Sequence, residues 1–98
     1  MTDFNEHLAR DARLVILKEL AKQTDNRLNE SLLMSVLETF GHRRSREWVR
    51  QQLRFLADMN AISLAEAGTV LVAELRRAGL EHVERRSIIE GVNRPSLV

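Results

Sequence analysis

The tightest constraint on the fold lies between Asn29 and Met59. Asn29 is a good N-cap for a helix over about Glu30 to Phe40, in which Leu32, Leu33, Val36, Leu37 and Phe40 share one broad face and Gly41 supplies the stop. Ser45 is again a good N-cap, and from there to Met59 neither Gly nor Pro interrupts a further helix. Two short amphipathic helices joined by about four residues are the sequence form of a helix-turn-helix. On the second of them, at about 100° per residue, Trp48, Val49, Leu53, Phe55, Leu56 and Met59 fall within one arc of about 160°. That side is expected to be core. Arg46, Arg50 and Arg54, spaced by four, fall outside the arc with Glu47 and Gln51 beside them, so the other side reads as a ridge of guanidinium groups.

The flanking segments complete one unit. Leu8, Ala12, Val15, Ile16 and Leu20 recur at helical spacing over about Asn5 to Gln23, with Asp3 and Glu6 placed as a capping box. Leu14, Leu17 and Ala21 fall on the opposite side of that helix. Either the chain itself covers them or they form the interface of a homodimer. After the Arg-rich helix, Ile62–Ala65 and the β-branched run Thr69–Ala73 flank Glu66-Ala67-Gly68, which predicts a tight β-hairpin. A last helix is expected from near Arg76 to about Arg86, with Leu75, Leu80 and Val83 facing inward and Gly79 weakening its first turn. Residues 1–87 therefore read as a single domain, mainly α with a small β-hairpin. Residues 88–98 form a tail that either docks through Ile88, Ile89 and Val92 or stays loose.

Composition narrows the functional classes. With 98 residues, 44% hydrophobic and 30% charged, the chain can bury one core and has little room for a second. No apolar run approaches ~18 residues, and no basic stretch precedes an apolar one at the N-terminus, so neither a membrane span nor a secretory signal is expected and the localisation expected is cytoplasmic. The absence of Cys removes disulfides, thiolate nucleophiles and Cys-based metal sites. His7, His42 and His82 are scattered, so neither metal nor cofactor is expected. No His-Glu-x-x-His, Gly-x-Ser-x-Gly, phosphate-cradling Gly loop or dinucleotide fingerprint is present, and the carboxylates sit on predicted exposed faces beside basic neighbours. A non-enzymatic role follows as the expectation.

Charge is uneven. The net charge is only +1, yet residues 41–60 hold Arg43, Arg44, Arg46, Arg50 and Arg54 against Glu47 and Asp58, while the segments on either side are acidic or neutral. Thirteen of the fifteen basic residues are Arg, whose planar fork suits phosphate and guanine.

The order helix, helix, helix, hairpin, helix, with basic residues on the third helix, resembles the winged helix-turn-helix: a three-helix core, a two-stranded wing and a C-terminal helix. Leu75-Arg76-Arg77-Ala78-Gly79 is similar to the Leu-Thr-x-x-Gly that closes the wing in many bacterial regulators, with Arg76 in place of Thr. Asp3-Phe4-Asn5-x-His7-Leu8, Arg27-Leu28-Asn29-Glu30-Ser31-Leu32-Leu33, Gly41-His42-x-x-Ser45-Arg46 and Gly91-Val92-x-Arg94-Pro95 resemble small ArsR-like winged-helix proteins of Mu-like phages and prophages. The metal-sensing role of ArsR proteins does not carry over, for want of Cys and clustered His.

The resemblance implies a DNA-binding protein with the third helix, about 45–59, in the major groove, acting in transcription or phage DNA handling. Arg46, Arg50 and Gln51 are the expected readers of base edges. Arg43, Arg44, Arg54 and Thr69 are the expected phosphate contacts, with His42 a minor candidate. Trp48 is assigned to packing. The expected partners are double-stranded DNA and a second copy of the chain. The alternative is an adaptor that uses the same fold to bind a phage or host protein, a reading to which the acidic hairpin tip, with Glu66 and no Lys or Arg, lends weight.

Overall fold

Side-chain caps start the three longer helices of the computed structural model, which describes residues 3–96. The carboxylate of Asp3 accepts from Glu6 N at 2.8 Å, Asn29 Oδ1 from Leu32 N at 2.9 Å and Ser45 Oγ from Trp48 N at 3.1 Å, each satisfying an amide that the first helical turn leaves without a partner. They open α1 (Phe4–Lys22), α2 (Glu30–Thr39) and α3 (Arg46–Asp58). A strand, β1 (Arg27–Asn29), precedes α2; the hairpin β2 (Ile62–Ala67) and β3 (Val70–Leu75) follows α3, and α4 (Arg77–Val83) closes the order.

The fold is α+β, with four helices and one three-stranded antiparallel sheet in the order β1-β3-β2 among the described residues. β1 was not expected from the sequence; it pairs Arg27, Leu28 and Asn29 with Glu74, Ala73 and Val72. The hairpin is longer and its loop tighter than expected. Ala67 pairs with Val70, so the loop is Gly68-Thr69 rather than Glu66-Ala67-Gly68, and Gly68 takes the positive φ of +64° that a two-residue turn requires. α4 is shorter than the predicted Arg76–Arg86, since Arg85 at φ +65° leaves the helical region. Gly79 has a packing reason: a Cβ there would lie 2.4 Å from the Ala61 carbonyl oxygen, so its absence lets α4 approach the chain after α3.

α1 runs through the centre, packed by α2, α3, α4 and β3. This accounts for its broad apolar surface. Leu17 is completely buried and Leu14 nearly so, so of the two alternatives it is the chain itself that covers them; Ala21, half-buried, packs against the same core. Ile16, Leu20, Leu33, Leu37, Val49, Leu53, Leu56 and Ile62 fill the remaining centre. The tail docks on α1. Ile89 and Val92 are buried, Asn93 N donates to Arg10 O at 3.2 Å, and Ile88, expected to pack, is exposed. His82 holds both ends of this segment: its Nδ1 accepts from Ile89 N at 3.1 Å and its Nε2 donates to Asn93 O at 2.8 Å.

Candidate nucleic-acid interface

The arginine ridge of α3 is divided by a buried carboxylate. Glu30, the first residue of α2, is fully buried where α2, α3 and the hairpin meet. Arg50 grips it from α3: Nε donates to Oε1 at 3.1 Å and Oε2 at 2.9 Å, and Nη2 to Oε1 at 2.7 Å. Arg46 adds Nη1 to Oε1 at 2.5 Å. Hydrogen bonds from Arg50 outweigh the burial that would otherwise favour the neutral acid, and with those from Arg46 and the Leu71 amide they hold the Glu30 carboxyl down to about 2. The same carboxylate pushes the Arg50 guanidinium upward. Arg50 Nη2 also donates to Thr69 O at 2.9 Å, tying α3 to the hairpin loop.

The expected site residues therefore separate. Arg50, expected to read a base, is turned inward: Glu30 and Thr69 O accept from both Nη2 protons and from Nε, which leaves Nη1 alone. The helical wheel placed it away from the core correctly but could not place α2's first turn and the hairpin loop against that side. Arg46 is shared between Glu30 and Ser31, with 45% of its side chain exposed. Gln51 is exposed, and so is Arg54, which lies 3.7 Å from Glu47 across two turns. Arg43 is the most open of the group, with a distant 4.0 Å contact to Glu38. Arg44 sits over the Trp48 ring, its Cζ 4.2 Å from the centroid, a cation–π contact that holds the guanidinium beside the start of α3. Thr69 is exposed at the hairpin loop, and a recess of about 140 Å³ between α3 and the hairpin is lined by Arg50, Arg54, Glu66 and Thr69 among others.

His42 does not serve as a phosphate contact. It is buried, bonded through Nε2 to Asp11 at 2.7 Å and stacked on Trp48, so it pins the α2–α3 connection to α1. Trp48 is half-buried between His42 and Arg44, a packing position.

Over 91 residues the sequence is 36% identical to the uncharacterized protein gp26 of Escherichia phage Mu, covering 93% of this chain and 94% of that protein. The chain belongs to the gp26 family. That relationship supports a phage origin. No family model and no solved structure matches the sequence.

Two features of this gp26-family chain were not anticipated from sequence. One is Glu30 with its neighbour Ser31; an acidic residue in a helix's first turn is so ordinary that nothing marked it as the anchor for two arginines. The other is Arg13, buried on α1, whose Nε donates to Gln52 Oε1 at 2.9 Å and whose Nη1 donates to Gly91 O at 2.8 Å. Among the described residues no group of three or more His, Asp or Glu is placed to hold a metal ion, and no helix is long and apolar enough to cross a membrane.

Proposed function

We propose that this protein is a winged-helix DNA-binding protein of a phage or prophage, acting in transcriptional control or phage DNA handling, with α3 in the major groove and the β2–β3 hairpin as the wing. One observation carries the reading: Arg46, Gln51 and Arg54 lie on the exposed side of a helix whose other side is core, Arg43 lies exposed in the connection just before it, and the hairpin loop stands beside it. The helix, strand, helix, helix, hairpin, helix order supports the same architecture. Arg43, Arg44 and Arg54 supply phosphate contacts and set the register; Arg46 and Gln51 face base edges. So few cations per chain bind weakly at physiological salt, so the active species is two copies on one site, meeting through a surface other than Leu14 and Leu17.

Fluorescence anisotropy with a labelled duplex, titrated at several salt concentrations, tests this. Affinity should fall steeply with salt. Arg43→Ala with Arg54→Ala should weaken binding on every sequence and reduce the slope of log K against log salt by about 2, roughly 0.9 for each phosphate no longer neutralised. Absence of duplex binding at low salt refutes the reading and favours the protein-binding adaptor, to which the acidic residue Glu66 near the hairpin tip is better suited.

A further inference from the structure

We infer that Arg46 is the residue that selects a guanine, held for that purpose by Glu30 and Ser31, while Arg50 serves as the clamp that keeps their carboxylate in place. The inference rests on the DNA-binding reading above and assigns within it which arginine specifies sequence. A guanidinium carries five N–H donors, and bidentate recognition needs two parallel ones on the same edge. Arg50 has no such pair to offer, since its Nε–H and both Nη2 protons go to Glu30 and Thr69 O. Arg46 uses one Nη1 proton on Glu30, and one Nη2 proton on Ser31 Oγ at 3.2 Å. Among the described residues nothing accepts from its Nε–H or from the second proton of each Nη. With Glu30 and Ser31 taking the two protons of the Nη1/Nη2 edge, the Nε–H and the other Nη2 proton form the parallel pair that guanine O6 and N7 accept in the major groove, the only base edge presenting two adjacent acceptors there.

The anchoring distinguishes a base reader from a phosphate contact. A phosphate is served by a mobile charge, and here much of the Arg46 charge is offset by Glu30. What the anchors provide is orientation: two fixed points on one side of a planar fork hold its plane and leave the exposed remainder turned outward. Arg54 and Arg43, exposed and held only by distant contacts to Glu47 and Glu38, lack that anchoring and suit the backbone.

The test is selection from a randomised duplex library by the full-length wild-type protein, followed by anisotropy on the selected duplex and on the same duplex with 7-deazaguanine, which lacks N7, at the selected guanine. The wild type should favour guanine at a fixed position and lose about 5- to 150-fold in affinity for the 7-deaza duplex. Arg46→Ala, which removes every donor of the side chain, should bind both duplexes equally. Ser31→Ala, which leaves the ion pairs untouched and so guards against a folding defect, should narrow the discrimination. Retention of the guanine preference by Arg46→Ala overturns the inference, as does a loss in that variant that is uniform across sequences, which marks a phosphate contact. If the wild type binds no duplex at low salt, the DNA-binding reading fails and takes this inference with it; if it binds but its Arg46 is blind to guanine, this inference alone fails.

Discussion

Two buried ionic junctions hold this chain together, and they are built oppositely. At the junction of α2, α3 and the hairpin a carboxylate is buried, and two guanidiniums close over it. At the junction of α1, α3 and the tail a guanidinium is buried, and Arg13 rests chiefly on the neutral oxygens of Gln52 and Gly91, with its guanidinium 3.7 Å from the centroid of the Phe55 ring. Among the described residues only one carboxylate approaches it, that of Glu6 at 3.3 Å, and it is partly exposed. The difference follows from how concentrated each charge is. A carboxylate holds its charge on two oxygens and needs a counter-charge when buried, whereas a delocalised, weakly hydrated guanidinium can be satisfied by carbonyl dipoles and a ring face. Burial accordingly pushes Arg13 downward, while Arg50 pulls Glu30 well below the usual carboxylate range.

Removing the anion should cause the largest change. Glu30→Gln leaves Arg46 and Arg50 facing each other across a neutral amide and should cost about 1.5–3 kcal/mol, the range for hydrogen bonds to a charged group, since the two guanidiniums left behind are partly exposed rather than buried, measured as a lower urea midpoint at unchanged m-value. A cost below about 1 kcal/mol would mean that the two arginines swing freely into solvent and that the junction is not a clamp.

Acid should reach part of the same loss without mutation. Glu30 ionises at about 2 in the folded chain against an ordinary 4.5, so the folded state favours the deprotonated form. Its contribution is complete above about pH 4.5, declines as the pH falls and is gone below about 2, because both states are then protonated. Urea melts from pH 6 to pH 2.5 should show a steeper decline for the wild type than for Glu30→Gln. The Arg13 guanidinium itself does not titrate in this window.

Breaking the second junction should release the tail before the rest of the fold. Gly91 sits at φ +89°, and a Cβ there would lie 2.4 Å from Phe55 Cζ. Gly91→Ala should therefore cost about 1–3 kcal/mol in backbone strain and clash. Its signature is hydrogen exchange: the Asn93 amide, bonded to Arg10 O, should lose protection while amides of α3 retain theirs. Equal loss at both sites would show that the tail belongs to the global cooperative unit.

The contrast between the junctions also explains how much of the molecule could be read beforehand. The helices were legible because their signals are local: Asp3, Asn29 and Ser45 cap where such residues should, and Gly41 ends α2 at φ +92°. The hairpin was legible from its β-branched run. β1 was not, because three residues carry no period and their partner strand lies more than 40 residues later. The arginine ridge was legible as a set of angles on one helix. Its division into an inward Arg50, a shared Arg46 and an outward Arg54 depends on where α2's first turn and the Gly68-Thr69 loop come to rest, which is tertiary information. Arg13 was unreadable for the same reason, its acceptors lying 39 and 78 residues away.

The smallest expected effect gives the sharpest test of why the two junctions differ. If the buried arginine is satisfied by dipoles, its one carboxylate neighbour should matter little. Glu6→Gln removes that charge yet leaves Gln52 Oε1, Gly91 O and the Phe55 ring in place, and Glu6 is 41% exposed, so the pair is screened by water. The cost should be about 0.2–1 kcal/mol, shrinking further in high salt, as for other solvent-exposed ion pairs. A loss of the size expected for Glu30→Gln would show that Arg13 too requires a counter-charge, and the two junctions would then be variants of one design in which only the sign of the buried group is exchanged.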